Sequence, residues 1–371
     1  MIPSTFISFI KKITLRGGRA SMLIIFLLAA CSTVTPTTVS EPPAPNAEPR
    51  SLRVMTHDSF AISEGVLAAF ETENNVKVQF LKSGDVGTAL NKAILSKDNP
   101  LADVFYGVDN TFLSRALDEG IFDAYDSPLL AGIPEAFKLD AENRALPVDY
   151  GDVCLNYDKA YFSKKNLQPP ATLDDLLKPE YKSLLVVENP ATSSPGLAFL
   201  LTTIGSFGDP GYLDYWKQLV QNDVLVVDGW ETAYNTEFSG AAGKGSRPIV
   251  VSYNSSPAFE VIYAQPPVEQ PSTAAIVGPM TCFRQIEFVG ILKGNKSRDL
   301  AEKWIDFMLS RAFQEDMPLQ MFVYPVLDGA KIPVEFSQFA QTPEQPATLN
   351  PSEIGKNRDQ WITDWTKTVL Q

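Results

Sequence analysis

Apolar and polar positions alternate in a regular order along the body of the chain. Three short apolar runs, Leu52–His57, Val76–Leu81 and Ala102–Val108, have the length and the β-branched or aromatic content of buried strands. Between them, apolar residues recur every three or four positions and predict helices. The helix that begins near Asn110 is expected to end at Gly120. Strands that alternate with helices predict an α/β fold with a mostly parallel sheet.

Two long extended runs, Ala145–Asp158 and Met280–Leu292, interrupt this alternation. Between them the order of strand and helix resumes with Leu184–Asn189 and Pro248–Tyr253, and an amphipathic helix follows the second run. Two α/β blocks separated by two long strands predict two lobes, each a mixed sheet flanked by helices, joined by two crossover strands. The predicted boundaries are 51–148 and 282–371, with the C-terminal helices, for the first lobe and 149–281 for the second.

Aromatic and small polar residues follow several of the predicted strands. Open α/β sheets bind ligands at the carboxyl ends of their strands, so these residues are expected to meet in the gap between the lobes. Trp230 comes directly after the short strand Val224–Val227 and a turn, where it either lines this gap or caps the core of the second lobe. The candidates at these strand ends are His57, Asp58, Ser59, Asp109, Ser193, Ser194, Trp230, Tyr253, Ser256 and Phe259.

The first fifty residues differ from the rest of the chain. Basic residues precede the apolar run Met22–Ala30, which is too short for a membrane-spanning helix of about 20 residues and is typical of a signal peptide. The run ends in Leu-Ala-Ala-Cys, which resembles a bacterial lipobox and predicts a lipid anchor on Cys31. Residues 1–30 are therefore expected to be a lipoprotein signal peptide, and 31–50, rich in Ser, Thr and Pro, a flexible tether.

Charge and residue counts exclude several classes of function. The formal net charge of −13 argues against a nucleic-acid partner. His57 is the only histidine, and no G-x-S-x-G or H-E-x-x-H pattern occurs, so we expect no enzyme, no cofactor and no metal site. Cys154 and Cys282 lie far apart in the sequence, and in an extracytoplasmic compartment they either pair or remain two buried thiols.

Seven strings spread over most of the chain resemble one known family. The chain is similar to the thiamine-binding proteins of bacterial ABC importers, which have a type II periplasmic-binding-protein fold. The resemblance implies capture of thiamine or its phosphates between the lobes and delivery to an ABC transporter permease. The matching strings are THDSF (56–60), GVDN (107–110), PVDYGDVCLNYDK (147–159), NPATSSPGL (189–197), GWETAY (229–234), SYNSSPAF (252–259) and YPV (324–326).

The resemblance also implies roles for individual residues. Trp230 and Phe259 would flank the thiazolium ring, Phe322 would contact the pyrimidine, and Tyr253 would donate a hydrogen bond to the hydroxyethyl or phosphate end. His57, Asp58 and Ser59 would come from the first lobe. The chain departs from the family where Tyr is frequent at the positions of His57 and Phe259, and Trp at that of Phe322.

The chemistry of the ligand is compatible with these residue types. An aromatic face attracts a cation such as thiazolium by about 0.5–2 kcal/mol. Asp58, Asp149 and Asp152 are candidates to complement the charge, and the last two are equally candidates for hydrogen bonds in the hinge. A phosphate would need donors, which the free N–H groups and hydroxyls at the helix starts Ser83–Thr88 and Thr192–Gly196 would supply. Asp85, Ser193 and Ser194 are the candidate residues at these starts, unless they act only as helix caps.

Two other cargoes stay open at this stage. A polyamine would use aromatic rings and several carboxylates, and a ferric-ion site would use adjacent tyrosines, although no Tyr-Tyr pair occurs in the chain. A purely structural lipoprotein would leave the strand-end aromatics unexplained. We expect a monomer that contacts the membrane through lipidated Cys31.

Overall fold

The structure is a computed structural model that describes residues 48–241 and 243–371. The predicted signal peptide, Cys31 and nearly all of the predicted tether lie outside these residues. Within the described part of the chain, no helix has the length and apolar character needed to cross a membrane.

One continuous mixed sheet organises the described residues. The strands follow the order β2-β1-β3-β10-β5-β8-β6-β7, and β4, β9 and β11 pair with the two middle strands. The strands are β1 (Arg50–Thr56), β2 (Val76–Lys82), β3 (Val104–Asp109), β4 (Phe122–Asp123), β5 (Leu146–Asp158), β6 (Leu185–Glu188), β7 (Leu225–Val227), β8 (Ile249–Tyr253), β9 (Thr273–Ile276), β10 (Phe283–Leu292) and β11 (Tyr324–Pro325).

The sheet consists of two parallel halves joined by an antiparallel centre. β1 pairs in parallel with β2 and β3, and β6 pairs in parallel with β7 and β8. The long strands β5 and β10 lie between the halves and pair antiparallel with each other. These two strands are the extended runs that interrupt the sequence pattern, and they connect the first half of the sheet to the second.

Twelve α-helices in the described residues cover the sheet. They are α1 (Glu64–Asn74), α2 (Val86–Leu95), α3 (Leu113–Asp118), α4 (Lys159–Lys165), α5 (Ser194–Phe207), α6 (Gly211–Gln221), α7 (Trp230–Thr232), α8 (Ser256–Tyr263), α9 (Arg298–Leu309), α10 (Arg311–Gln320), α11 (Val334–Phe339) and α12 (Pro351–Val369). Single-turn α7 continues into a turn of π-helix over Ala233–Glu237, so the helical segment that begins at Trp230 is short and irregular.

Two of these helices begin with polar caps that point toward the junction of the halves. The Asp85 carboxylate accepts from the backbone N–H of Val86 at the start of α2. The Ser193 hydroxyl accepts from the N–H of Gly196 at the start of α5, and Pro195 occupies the first turn, where its missing N–H has no cost. The sequence therefore defines both helix starts locally, and both follow strands that end at the junction.

Apolar packing holds the helices on the sheet. Under α1 and α9, one core cluster joins β1 and β3 to Trp304, whose ring meets Phe70 edge to face at 5.1 Å. The last helix, α12, packs against α6 and α3, and its Trp365 meets Trp216 of α6 at 5.4 Å. Because α12 contacts helices from both halves, it ties the end of the chain to the second half as well as the first. The predicted lobe boundaries stay a prediction.

A disulfide between Cys154 and Cys282 spans the centre of the sheet. Cys154 lies in β5, and Cys282 directly precedes β10, where their Cα atoms are 4.4 Å apart. The sequence left open whether these cysteines pair, because the register of β5 against β10 brings them together only in the folded chain. The bond encloses a loop of 128 residues that contains the whole second half of the sheet.

Removing this disulfide should destabilise the protein. In the double variant Cys154→Ala/Cys282→Ala, we expect the free energy of unfolding to fall by about 2–5 kcal/mol, because the unfolded chain regains the freedom of a long loop. Urea denaturation measures the change, and the native protein with reductant is the matched control. Thiol labelling of the wild-type protein, unfolded in denaturant without reductant, should find neither of these two cysteines free. Labelling of both would contradict the pairing.

Candidate functional site

A cavity of about 420 Å³ opens where the two halves of the sheet meet. Loops after β1, β2, β7 and β8, the start of α5, and the segment after α10 form its wall. Five carboxylates line it, and none of the described lining residues is Lys or Arg. The lining residues include His57, Asp58, Ser59, Asp85, Ser194, Asp228, Trp230, Glu231, Tyr234, Tyr253, Ser256, Phe259, Glu287 and Phe322.

Trp230 forms one aromatic wall. Its ring stacks on Tyr234 with centroids 5.0 Å apart and planes 15° apart, and its indole N–H donates to the Ser252 hydroxyl at 2.9 Å. Tyr234 is buried against Val186 and Val250 in the core of the second half. Trp230 therefore both covers this core and lines the cavity, so the two interpretations of its position are compatible.

Phe259 and Phe322 form a second aromatic wall. Phe259 lies in α8, and its ring centroid is 3.6 Å from that of Phe322, which follows α10. Phe322 has φ of 60°, a left-handed conformation that is costly for a bulky side chain. The Ser255 hydroxyl donates to the carbonyl oxygen of Phe322 and holds this strained turn in place. The backbone is thus held in the conformation that brings the Phe322 ring to the cavity.

Asp85 occupies the position that the sequence assigns to a bound phosphate. Its carboxylate accepts from the N–H of Val86 at 2.7 Å, from the N–H of Trp230 at 3.1 Å, and from the N–H of Ser194 at 3.4 Å. Two helix starts and a loop from opposite halves therefore share one carboxylate of the protein itself. Burial raises the pKa of Asp85, although the Trp230 and Val86 N–H groups favour its ionised form.

The two halves approach most closely beside Asp85. A Cβ atom added at Gly87 would lie 2.7 Å from the carbonyl oxygen of Ala191, so only glycine allows α2 to come this near the segment before α5. Across the same junction, the Thr88 N–H donates to the carbonyl of Thr192 at 3.3 Å. On the other side of the cavity, the Ser59 hydroxyl donates to the Glu231 carboxylate at 2.9 Å.

Three acidic residues lie side by side at the wall of the cavity, where Glu287 lines it and Asp109 and Asp149 lie behind. In the register of the sheet, Glu287 of β10 pairs with Asp109 of β3 on one side and with Asp149 of β5 on the other. The register shifts after Glu287 where β10 pairs with β5, and after Phe288 where β10 pairs with β3. Such bulges redirect side chains. Burial raises the pKa of Asp109 to about 7, and burial followed by the Glu287 charge raises that of Asp149 well above its usual range.

Tyr106 connects two of these acids. Its hydroxyl lies 2.6 Å from Asp149 Oδ2 and 2.9 Å from Glu287 Oε2. A phenol has one proton to donate, so one carboxyl must be protonated and donate to the phenol oxygen. The raised pKa of Asp149 favours this acid as the carrier of the proton. Glu287 lines the cavity, whereas Asp149 is fully buried behind it.

His57 lies against the same carboxylate. The side chain is about nine-tenths buried, and its Nε2 atom lies 3.8 Å from Glu287 Oε1. Gly107 makes room for the ring, because a Cβ atom there would lie 2.5 Å from His57 Cδ2, and Gly107 has a φ of 111° that favours glycine. Burial is the largest influence and favours the neutral imidazole, but the interactions with Glu287 and the charge of Asp85 together outweigh it and raise the pKa of His57.

Most of the candidate residues meet at the cavity, and two do not. Ser193 and Asp109 are fully buried beside it: Ser193 caps α5, and Asp109 binds the hydroxyls of Thr111 and Ser194. The ten that line the cavity are His57, Asp58, Ser59, Asp85, Ser194, Trp230, Tyr253, Ser256, Phe259 and Phe322.

The structure decides between the two roles that the sequence left open for Asp149 and Asp152. Asp58 lines the cavity, but Asp149 is bound by Tyr106, and Asp152 accepts two hydrogen bonds from Arg284 at 2.9 and 2.8 Å. The last two therefore act in the central strands. Sequence reasoning missed Glu231, which follows Trp230 directly, and Glu287, which no local pattern distinguishes from other strand residues.

The comparisons with known proteins agree with this geometry. Residues 99–349 match the family profile described as bacterial extracellular solute-binding protein. The thiamine-binding periplasmic protein of Salmonella typhimurium is 32% identical over 86% of this chain and 93% of its own length. The protein of the same description from Escherichia coli is 30% identical, with the same coverage.

A solved structure supports the fold independently. A periplasmic thiamin binding protein superposes with a TM-score of 0.77 and 27% identity, over 89% of this chain and 99% of its own. The predicted two-lobed α/β fold of type II periplasmic binding proteins is thereby confirmed.

The bridge at Tyr106 can be tested by stability measurements. In Tyr106→Phe, the two acids lose the donor between them, and we expect the free energy of unfolding at neutral pH to fall by about 1–3 kcal/mol. The loss should shrink in acid, where both carboxyls carry protons. Tyr212→Phe is the matched control, because the buried Tyr212 hydroxyl has no partner among the described residues, and it should show no loss. Equal losses in both variants, by urea denaturation, would contradict the bridge.

Proposed function

Because the chain belongs to the family of bacterial extracellular solute-binding proteins, which is not an enzyme class, we propose that it captures thiamine and delivers it to an ABC importer. The observation that carries the proposal is the cavity wall, which combines aromatic rings with five carboxylates and, among the described lining residues, no lysine or arginine. Such a wall attracts a flat organic cation and disfavours a ligand whose net charge is negative.

The aromatic rings supply the contacts for a flat ligand. Trp230 and the pair Phe259–Phe322 belong to different segments of the wall, so a thiazolium ring between them would meet aromatic faces. Each face attracts the cation by about 0.5–2 kcal/mol, more when water is excluded. Tyr234 stacks behind Trp230 and fixes the plane of its ring before the ligand arrives. A prearranged ring reduces the entropy lost on binding.

Free thiamine is the ligand that we name, rather than its phosphates. The N–H groups at the starts of α2 and α5 already bind Asp85, and a phosphate would have to compete with this carboxylate. Among the described residues that line the cavity, His57 is the only side chain that can carry a positive charge. We therefore expect thiamine monophosphate to gain no affinity over free thiamine. Chemical conversion of the bound ligand is not part of the proposed function.

The transport role implies two further partners. The ligand-bound protein would dock on the permease of an ABC importer as a monomer, outside the cytoplasm. The lipobox-like string that ends at Cys31 would anchor it to the membrane, with the segment up to residue 50 as tether.

Loss of the Trp230 ring should weaken binding. In Trp230→Ala, we expect the dissociation constant for thiamine to rise at least about tenfold, because a cation–aromatic contact and its buried area are lost. Trp230→Phe keeps an aromatic face and should lose less. Isothermal titration measures both constants, and an unchanged value for Trp230→Ala would remove Trp230 from the binding site.

The same titration separates the proposed cargo from its rivals. Thiamine, its monophosphate, spermidine and ferric citrate are each added to the native protein. Tightest binding of thiamine supports the proposal, whereas tighter binding of spermidine or of iron would overturn it in favour of that ligand.

The anchor on Cys31 has its own test. The full chain is expressed with Cys31→Ser, and the variant should move from the membrane fraction to the soluble extracytoplasmic fraction. Cys31→Ser leaves Cys154 and Cys282 in place, so the variant should still form the disulfide and fold. Its correct folding is the internal control. A variant that stays with the membrane would contradict lipid anchoring at this residue.

A further inference from the structure

His57 is the residue on the cavity wall whose ordinary pKa lies nearest neutral pH, and it is the only histidine in the chain. Its role in the cavity is not explained by packing alone. Gly107 leaves space for the ring, although a glycine weakens the strand that contains it. The ring centroids of His57 and Tyr106 are 5.7 Å apart. The chain therefore places a titratable group at the wall of a site built for a cation.

The polar edge of His57 has no hydrogen-bond partner. Its Nε2 atom is buried and makes no hydrogen bond to any described residue, and the nearest acceptor, Glu287 Oε1, lies 3.8 Å away. Buried polar atoms are rarely left without a partner, so an unpartnered one calls for an explanation such as a functional role. The separation from Glu287 is too long for a hydrogen bond but short enough for a strong charge interaction. When His57 is protonated, it forms a loose ion pair with Glu287, and both residues line the cavity.

Charged and titratable groups face His57 from each of the elements that surround it. Glu287 faces it from β10, Asp85 from the start of α2, and Lys82 from the end of β2. Tyr106 of β3 lies beneath the ring and stays protonated, because burial and the two acids raise its pKa. Asp58 is adjacent in the chain, while Asp109 and Asp149 lie behind Glu287.

We propose that binding of the cationic ligand releases a proton from His57 to solvent, so that the ligand replaces the imidazolium as the positive charge beside Glu287. The inference rests on the proposed function for the identity of the ligand. A protonated His57 and a thiazolium ring in one buried cavity would repel each other, and expulsion of the proton removes the repulsion. Once neutral, Nε2 can accept a hydrogen bond, which the aminopyrimidine amine can donate.

The sign of the pH dependence follows from this exchange. Below the pKa of His57 the ligand must displace a proton, so its affinity falls as the pH falls, by at most about tenfold per pH unit for one proton. Above this pKa no proton is displaced, and the affinity stays constant. The protein therefore captures its ligand best at neutral or slightly alkaline pH and holds it less tightly in acid.

Thiamine titrations at several pH values test the proposal directly. We expect the dissociation constant to be about three- to tenfold larger at about pH 6 than at about pH 8. Titration at each pH in two buffers of different ionisation enthalpy should detect release of up to one proton. The protein carries no histidine tag, and the pH stays high enough to keep the aminopyrimidine neutral. Binding that is unaffected by pH and releases no proton would overturn the inference and leave the proposed function intact.

Two variants identify the group that titrates. His57→Gln keeps a polar side chain that cannot ionise, and its dissociation constant should no longer vary with pH. Asp109→Asn is the matched control, because it removes a nearby acid whose pKa is raised to about 7, and its pH dependence should persist. A dependence that survives in His57→Gln and disappears in Asp109→Asn would assign the proton to Asp109 and overturn the proposal.

The single histidine also allows a measurement on the unaltered protein. Its imidazole C–H resonances can be assigned without ambiguity, and their titration should give a lower pKa with thiamine bound than without. An equal pKa in both states would refute the proton exchange. Failure of thiamine to bind at any pH would instead reject the proposed function, and the inference would fall with it.

Discussion

The antiparallel pairing of β5 with β10 is the constraint on which the rest of the structure depends. These two strands carry the chain between the halves of the sheet, and their register places Glu287 opposite Asp149. The same register brings Cys154 beside Cys282, so that a covalent bond holds the pairing. A shift of one residue would turn the side chains of a strand to the opposite face and separate both pairs.

This pairing brings buried carboxyl groups close together, and the Tyr106 hydroxyl bridges two of them. Three carboxyl groups in neighbouring strands, with little water around them, cannot all be ionised, because burial of an unpaired charge is very costly. The Tyr106 hydroxyl bridges Asp149 and Glu287, the raised pKa of Asp149 favours its neutral form, and Glu287 lines the cavity. The negative charge of the site is thus set by a buried hydrogen-bond chain as well as by the acidic residues on its surface.

The cavity combines rigid rings with contacts that cross the junction. Trp230 is supported by Tyr234 and Ser252, and Phe322 by Ser255, so the aromatic walls are held from the protein side. Asp85, in contrast, binds N–H groups from both halves, and Gly87 permits the close approach around it. The rings give shape to the site, and the Asp85 contacts hold the halves together around it.

The sequence by itself determined the order of strands and helices, the two long crossing strands, and the strand ends that carry Trp230, Tyr253 and His57. These features are local, because periodicity, caps and turns act over a few residues. The resemblance to thiamine-binding proteins added the expected fold and most of the residues that line the cavity. Only the tertiary structure decided that Glu287 faces the cavity, that Asp85 takes the place expected for a phosphate, that Asp109 lies behind the wall, and that the cysteines pair. Each of these depends on strand register or on the distance between the halves, and contacts between residues far apart in the chain fix both.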